Sequence, residues 1–251
     1  MVAGAKVALV TGGGSGMGEA TCRRLAREGM AVGVLDIHGP AAIRLAAEIR
    51  EAGGQALELV ADISVRRQVK AAIDELRRAF GPVAVVVNNA AIESFTAFEE
   101  IDEDSWDRLM SVNLKGAYIV TQTALPDMLA RGWGRVVNVA AIGAQSGATH
   151  MAHYTASKGG LIAMTKSLAV ELGRKGVTVN AISPGFILTP MSQRAIDNNL
   201  FPVPAEQIYG AYPIPRLGRP EEIAAACAYL VSDDAGYVTG QVLAVNGGAY
   251  V

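Results

Sequence analysis

Seven short apolar runs rich in β-branched residues divide the chain, at 6–10, 31–35, 57–61, 83–87, 135–139, 177–182 and 241–245. Most are unbroken rather than alternating, the pattern of strands covered on both faces of a parallel sheet. Amphipathic stretches lie between them, as at 19–28, 41–52, 66–80 and 161–172, with Gly29, Gly53, Gly81 and Gly173 standing where a helix would stop. Strand and helix alternate throughout, which predicts an α/β fold: a doubly wound, seven-stranded parallel sheet with helices on both faces. No internal repeat, low-complexity tract or linker interrupts the rhythm, so residues 1–251 are expected to form one domain.

One segment departs from the alternation. About 190–220 the chain carries Pro190, Pro202, Pro204, Pro213, Pro215 and Pro220 among Met191, Ile196, Leu200, Phe201, Ile208, Tyr209 and Tyr212. It is too apolar for a solvated loop and too broken by proline for one helix. Because it follows a strand end, where open α/β sheets bind ligands, it is expected to act as a flap over a substrate.

Composition removes several functions. With 22 basic against 24 acidic residues and a net charge of -2, the chain lacks the basic excess that phosphate neutralisation on a nucleic acid requires, and it has no cationic cluster for an anionic membrane. A content of 51% hydrophobic and 18% charged residues excludes disorder. No apolar run reaches the roughly 18 residues of a membrane span, and the first residues lack the pattern of a signal peptide. Cys22 and Cys227 fall in apolar helical patterns, as reduced thiols do, and a cytoplasmic setting is expected.

Directly after the first run comes Thr11-Gly12-Gly13-Gly14-Ser15-Gly16-Met17-Gly18, followed by a helical pattern from Glu19. Strand, glycine turn and helix in that order let the backbone approach a pyrophosphate at the positive end of the helix. No lysine follows, as a nucleotide triphosphate loop would need. Asp36 then ends the second run, where a carboxylate accepts hydrogen bonds from a ribose 2′-hydroxyl and repels a 2′-phosphate; neither Ile37 nor His38 could hold one. NAD is therefore expected over NADP. A methyltransferase could share these features, so the chemistry is decided elsewhere.

Tyr154 and Lys158 stand one helical turn apart on one face. An ammonium there would stabilise phenolate and lower the tyrosine pKa, making it a usable proton donor or acceptor.

Together these motifs make the sequence resemble the classical short-chain dehydrogenase/reductase family, over 7–248. Thr-Gly-x-x-x-Gly-x-Gly is met by Thr11, Gly12, Gly16 and Gly18, the family's Asn-Asn-Ala-Gly by Asn88-Asn89-Ala90-Ala91, its helix asparagine by Asn113, and Tyr-x-x-x-Lys by Tyr154 and Lys158, with Pro184-Gly185 after the sixth strand. The resemblance implies a Rossmann fold and places the cofactor along Gly12, Gly14, Ser15, Gly16, Met17 and Gly18, then Asp36, Ile37, Asp62 and Ile63. It continues past Asn89, Ala90 and Ala91 to Tyr154, Lys158, Pro184, Gly185, Ile187 and Thr189. Asp62 would contact the adenine, Lys158 the nicotinamide ribose, and Ile187 and Thr189 the carboxamide. The resemblance further implies a proton relay through Asn113, and a homotetramer packed on helix faces.

Two departures stand out. Ala91 replaces a glycine, for which a small backbone adjustment is expected. Ala141 occupies the position of the family's catalytic serine, in Asn138-Val139-Ala140-Ala141-Ile142-Gly143, so the hydroxyl that would hold the substrate oxygen is missing; Ser146 is too far along the chain to replace it without a shifted loop. Either the chain is a natural variant that binds carbonyls by Tyr154 alone, or a serine was deliberately changed to alanine; the intact remainder of the set favours the second.

The expected function is hydride transfer between NAD and a secondary alcohol or ketone, cyclic or apolar, impaired by Ala141. The alternative is an NAD-binding protein with little or no turnover, a sensor or scaffold. His150 and His153 flank the tyrosine without acidic partners, so no metal site is expected and one of them is expected to line the pocket. Trp106 and Trp133 fit packing roles, and Arg194 fits a solvated charge.

Overall fold

The computed structural model describes residues 5–201 and 203–251; residues 1–4 and Pro202 lie outside the described residues. All seven apolar runs are strands: β1 (Val7–Thr11), β2 (Ala31–Asp36), β3 (Gln55–Val60), β4 (Val83–Asn88), β5 (Gly134–Val139), β6 (Val177–Pro184) and β7 (Val242–Val245). They form one sheet in the order β3-β2-β1-β4-β5-β6-β7, every neighbouring pair parallel. The chain runs outward from β1 to β3, returns beside β1 as β4, and runs outward the other way. That reversal leaves a crevice at the carboxyl ends of β1 and β4, the place where such sheets bind ligands.

Helices α1 (Gly16–Arg27), α2 (Gly39–Glu51) and α3 (Arg66–Phe80) follow the first three strands. After β4 come α4 (Glu103–Met110), a π-helical turn (Ser111–Gly116) and α5 (Ala117–Arg131) in one unbroken stretch. The short α6 (Gly143–Ser146) and the long α7 (Ala152–Leu172) separate β5 from β6. Along β1 the side chains alternate: Ala8 and Val10 enter a core with Cys22, Leu25, Leu45 and Cys227, whereas Val7 and Leu9 enter a core with Leu76, Met128 and Leu172 on the other side. Both faces are thus sealed, which is why the runs lack polar alternation. Both cysteines are free and buried, and burial pushes the Cys227 thiol up to about 12.

Local differences from the sequence reading have local causes. Helix α1 begins at Gly16 rather than Glu19, because the last part of the glycine turn already forms its first turn. Gly173 does not reverse the chain: its φ is −54, it opens a 3-10 turn (Gly173–Lys175), and Gly176 at φ 81 makes the reversal. Pro184 lies within β6 instead of after it.

The 190–220 segment folds as α8 (Pro190–Asp197) and α9 (Ala205–Gly210), with α10 (Pro220–Val231) starting at its end. Pro190 and Pro220 begin helices instead of merely breaking them, since a proline in the first turn leaves no extra donor unsatisfied. Thr189 caps α8 by accepting from the Ser192 N–H at 3.1 Å. Phe201 fixes the crossing between the helices, packing edge-on against Phe95 at 5.3 Å and Phe186 at 4.9 Å. Among the described residues, no helix is long and apolar enough to cross a membrane.

Candidate active site

The glycine turn is welded to the end of β4. The Thr11 hydroxyl accepts from the N–H groups of Asn89 and Ala90 at 3.0 and 3.1 Å, and the Asn89 amide donates to the carbonyls of Thr11 and Gly12 at 3.0 and 3.1 Å. Asn88, beside it, is buried and donates to Thr121 and Asn138 at 2.9 and 2.8 Å, a purely internal role. A Cβ on Gly18 would stand 2.0 Å from the Gly12 carbonyl oxygen, so only glycine lets the turn lie this close to α1. Gly12 and Gly16 adopt left-handed φ values of 62 and 53, which L side chains resist.

This turn forms one wall of an elongated cavity of about 290 Å³. From one end it passes Asp36, Ile37, Asp62 and Ile63, crosses Gly12, Ser15, Gly16 and Met17, and continues past Asn89, Ala90 and Ala91 to Tyr154, Lys158 and Thr189. Gly14 and Gly18 are behind the wall: the Gly14 N–H donates to Asp36 Oδ2 at 2.9 Å, so this glycine aims the carboxylate. Asp36 Oδ1 accepts from the His38 N–H at 2.9 Å as well, locking the side chain at the end of β2. Burial pushes the Asp62 carboxyl up, but hydrogen bonds from Ser64 and the charge of Arg108, 3.6 Å away, more than reverse this and hold it below its usual range. Ala91 has no positive φ, so its methyl is accommodated without backbone strain. A close-packed glycine turn at a helix N-terminus with an oriented carboxylate at one end fits a nicotinamide dinucleotide.

Tyr154 lies where this cavity meets a second one of about 440 Å³. Ala141, Pro184, Gly185 and Ile187 line the second cavity and not the first, while Thr189 borders both. Lys158 is 2% exposed and donates to the Val139 carbonyl at 2.7 Å; burial pulls its pKa down to about 8. Its ammonium is 5.9 Å from the Tyr154 ring centre. The expected lowering of the tyrosine pKa is absent in the ligand-free chain. Burial, aided by the negative charge of Glu93, raises it instead, while the Lys158 ammonium donates to the Val139 carbonyl.

Asn113 sits in the π-helical turn, away from both cavity walls. It is clamped to Ile92, accepting from its N–H and donating to its carbonyl, each at 2.9 Å, and it donates to Ser157 at 3.2 Å. The Ser157 hydroxyl in turn donates to the Tyr154 carbonyl at 2.7 Å. Ala141 brings no hydroxyl to the second cavity; Ser146 borders that cavity, but its Oγ lies 3.2 and 3.1 Å from the carbonyls of Ile142 and Gly147 and donates within its own turn.

Neither histidine near the tyrosine borders the two cavities. His150 is exposed at φ 60, and His153 is fully buried with both ring nitrogens unpartnered. Trp133 packs under the cations of Lys6 and Arg135, at 4.0 and 4.3 Å from its ring centre. Arg194, read from sequence as a solvated charge, borders the first cavity, as does Arg108. Glu93 and Phe95 border the second; their place directly after the Asn-Asn-Ala-Ala motif was the available signal.

A family model described as enoyl-(acyl carrier protein) reductase matches residues 12–250. Nodulation protein G of Azospirillum brasilense is 40% identical over 245 residues, covering 97% of each chain. Two solved structures superpose with a TM-score of 0.93. One is a variant of an actinorhodin polyketide ketoreductase with NADPH, 37% identical and covering 98% of this chain and 97% of its own. The other is an NAD+-bound xylitol dehydrogenase, 33% identical and covering 99% and 100%. The glycine turn, the Tyr154–Lys158 pair and these full-length matches together establish that the chain belongs to the short-chain dehydrogenase/reductase family of nicotinamide-dependent oxidoreductases.

Proposed function

We propose that the chain moves a hydride between NAD and a secondary alcohol or ketone, one domain of 1–251 serving both ligands. The observation that carries this reading is the position of Tyr154 at the junction of the cavity lined by the glycine turn and a second, largely apolar one. Bound nicotinamide supplies or accepts the hydride. Tyr154 gives its phenolic proton to the developing alkoxide in reduction and takes it back in oxidation. The buried phenol carries its proton before substrate enters. Lys158 holds its charge one turn below the tyrosine, and its place on the first cavity's wall suits contact with the nicotinamide ribose. Asn113 fixes the helix start through Ser157 and serves the proton path from within the π-helical turn, a distortion common at functional sites.

Asp36, held by two backbone donors and bordered by Ile37, supports NAD over NADP. The 190–220 segment, whose Met191, Phe201, Ile208 and Tyr212 cover the second cavity, acts as the substrate lid. Ala141 leaves Tyr154 without the hydroxyl partner its relatives' pattern supplies, so turnover is reduced. That single position favours the second reading, an NAD-binding sensor or scaffold with little turnover. Exposed Trp106, Tyr118, Leu129 and Val170 on α4, α5 and α7 suit packing against further copies in a homotetramer, and the two free thiols suit the cytoplasm.

The test follows reduced-cofactor absorbance with a panel of cyclic and aliphatic secondary alcohols. NAD-linked oxidation is expected in the parent, with Tyr154→Phe abolishing it and leaving the NAD dissociation constant within about twofold. Calorimetry should give NAD at least tenfold tighter binding than NADP, about 1.4 kcal/mol. Equal affinities, or a Phe variant as fast as the parent, would reject the assignments.

A further inference from the structure

Glu93 is the unusual group of the second cavity. It shares that wall with Phe95, Tyr154, Phe186, Met191 and Phe201, an aromatic and aliphatic surround for a carboxyl. Other carboxylates of the chain have donors: Asp36 has the N–H groups of Gly14 and His38, Asp62 has Ser64, and Glu19 has Arg23 and Arg44. Among the described residues Glu93 makes no hydrogen bond and no ion pair, although Arg194 lies close enough for its charge to be felt. Its carboxylate is only half-buried, so water is its donor when the cavity is empty, and a ligand that fills the cavity must supply a donor in its place.

We propose that Glu93 determines substrate choice by accepting a hydrogen bond from a second hydroxyl placed next to the reacting carbon, so that the substrate class is the vicinal diol or α-hydroxy ketone. This rests on the oxidoreductase reading and deepens it. Three features of the site select that chemistry. Glu93 and Tyr154 line the same cavity, so a donor on the substrate that reaches Glu93 lies near the carbon that Tyr154 serves. The charge of Arg194 already reaches Glu93 and opposes a cationic substituent there, leaving a neutral donor. A thioester next to the reacting carbon would present only acceptors to the carboxylate, and its lone pairs would be repelled. The apolar remainder of the wall suits a hydrocarbon ring or chain beyond the two oxygens.

The measurement compares 2-hydroxy-1-phenylethanone with acetophenone, binding by calorimetry to the full chain saturated with NAD+, where neither keto group can be reduced, while reduced-cofactor absorbance is followed to check that the primary hydroxyl of the first is not oxidised. The hydroxy ketone is expected to bind at least tenfold tighter, a ratio equal to about 1.4 kcal/mol. Glu93→Leu should bring the ratio to within twofold while acetophenone binds as before, and the isosteric Glu93→Gln, whose amide oxygen still accepts, should retain part of it. Equal affinities in the parent, a preference that survives in Glu93→Leu, or no binding of either ketone would overturn the proposal. Turnover of 1-phenylethane-1,2-diol and 1-phenylethanol with NAD is read separately. If neither alcohol is oxidised while the binding ratio holds, it is the oxidoreductase reading that fails.

Discussion

At position 141 the difference between a methyl and a hydroxyl decides how the negative charge of the reaction is met. In the proposed reaction the substrate oxygen gains charge as the carbon approaches the alkoxide-like state, and the Tyr154 phenol is the one donor that the catalytic motif would retain beside it. A preorganised second donor typically contributes about 10²–10³ in rate. Ala141→Ser is therefore expected to raise the turnover number by roughly that factor. NAD affinity should stay unchanged, because Ala141 borders the second cavity and not the dinucleotide cavity. Stopped-flow or steady-state measurement of the two proteins on the same alcohol checks this. An alanine form as fast as the serine form would mean that Tyr154 alone suffices. The same residue bears on the sequence reading. Its absence of a hydroxyl is visible in the motif, where spacing alone sets Ser146 aside; the structure gives the physical reason, since that hydroxyl is tied to Ile142 and Gly147.

Among the elements, the strands were the most legible because burial on both faces writes itself into a continuous apolar run; β5, for example, is buried at every position. The glycine turn was legible for a related reason, namely that its spacing is dictated by contact. Gly18 touches Gly12, and Asn89 from β4's end closes the turn from the other side. Gly18→Ala is accordingly expected to push α1 away from the turn. The overpacking should destabilise the chain by about 1–3 kcal/mol and weaken NAD binding at least tenfold, read by calorimetry and thermal unfolding. Unchanged binding would show that the turn tolerates the displacement. The helices of the 190–220 segment were illegible as helices, since each is short and depends on the capping of Thr189 and on the Phe95, Phe186 and Phe201 contacts. The π-helical turn that holds Asn113 left no mark in the periodicity either. Arg194 was missed as a site residue because cavity walls gather side chains from distant segments, and no local pattern encodes that convergence; for Glu93 the one local signal was its place just after the Asn-Asn-Ala-Ala motif.

For the molecule as a whole, the site carries an energetic load that stability measurements can read without substrate or cofactor. Lys158 is buried against the carboxyl end of the inner strand β5 with one carbonyl as its partner, and its pKa falls from 10.5 to about 8. Below the folded value the lysine is charged in both the folded and the unfolded chain, and folding bears the full desolvation cost. Above the unfolded value it is neutral in both, and the cost is gone. Between them the unfolded chain binds more protons, so this residue makes stability rise with pH, by about 3 kcal/mol in total. The contrast with Lys158→Met isolates the effect from the other titrating groups. Near pH 7 the methionine variant should be more stable than the parent, by about 2 kcal/mol once roughly 1 kcal/mol for the lost hydrogen bond to Val139 is deducted. As pH rises from about 8 toward 10.5 the parent should overtake it. Denaturant unfolding of both ligand-free proteins across that range is the check, and a constant stability difference would mean that the buried ammonium titrates as it does in water. If the crossing is seen, the fold sustains a net destabilisation at neutral pH to keep a cation beside Tyr154, as a chain built for proton transfer at that residue would.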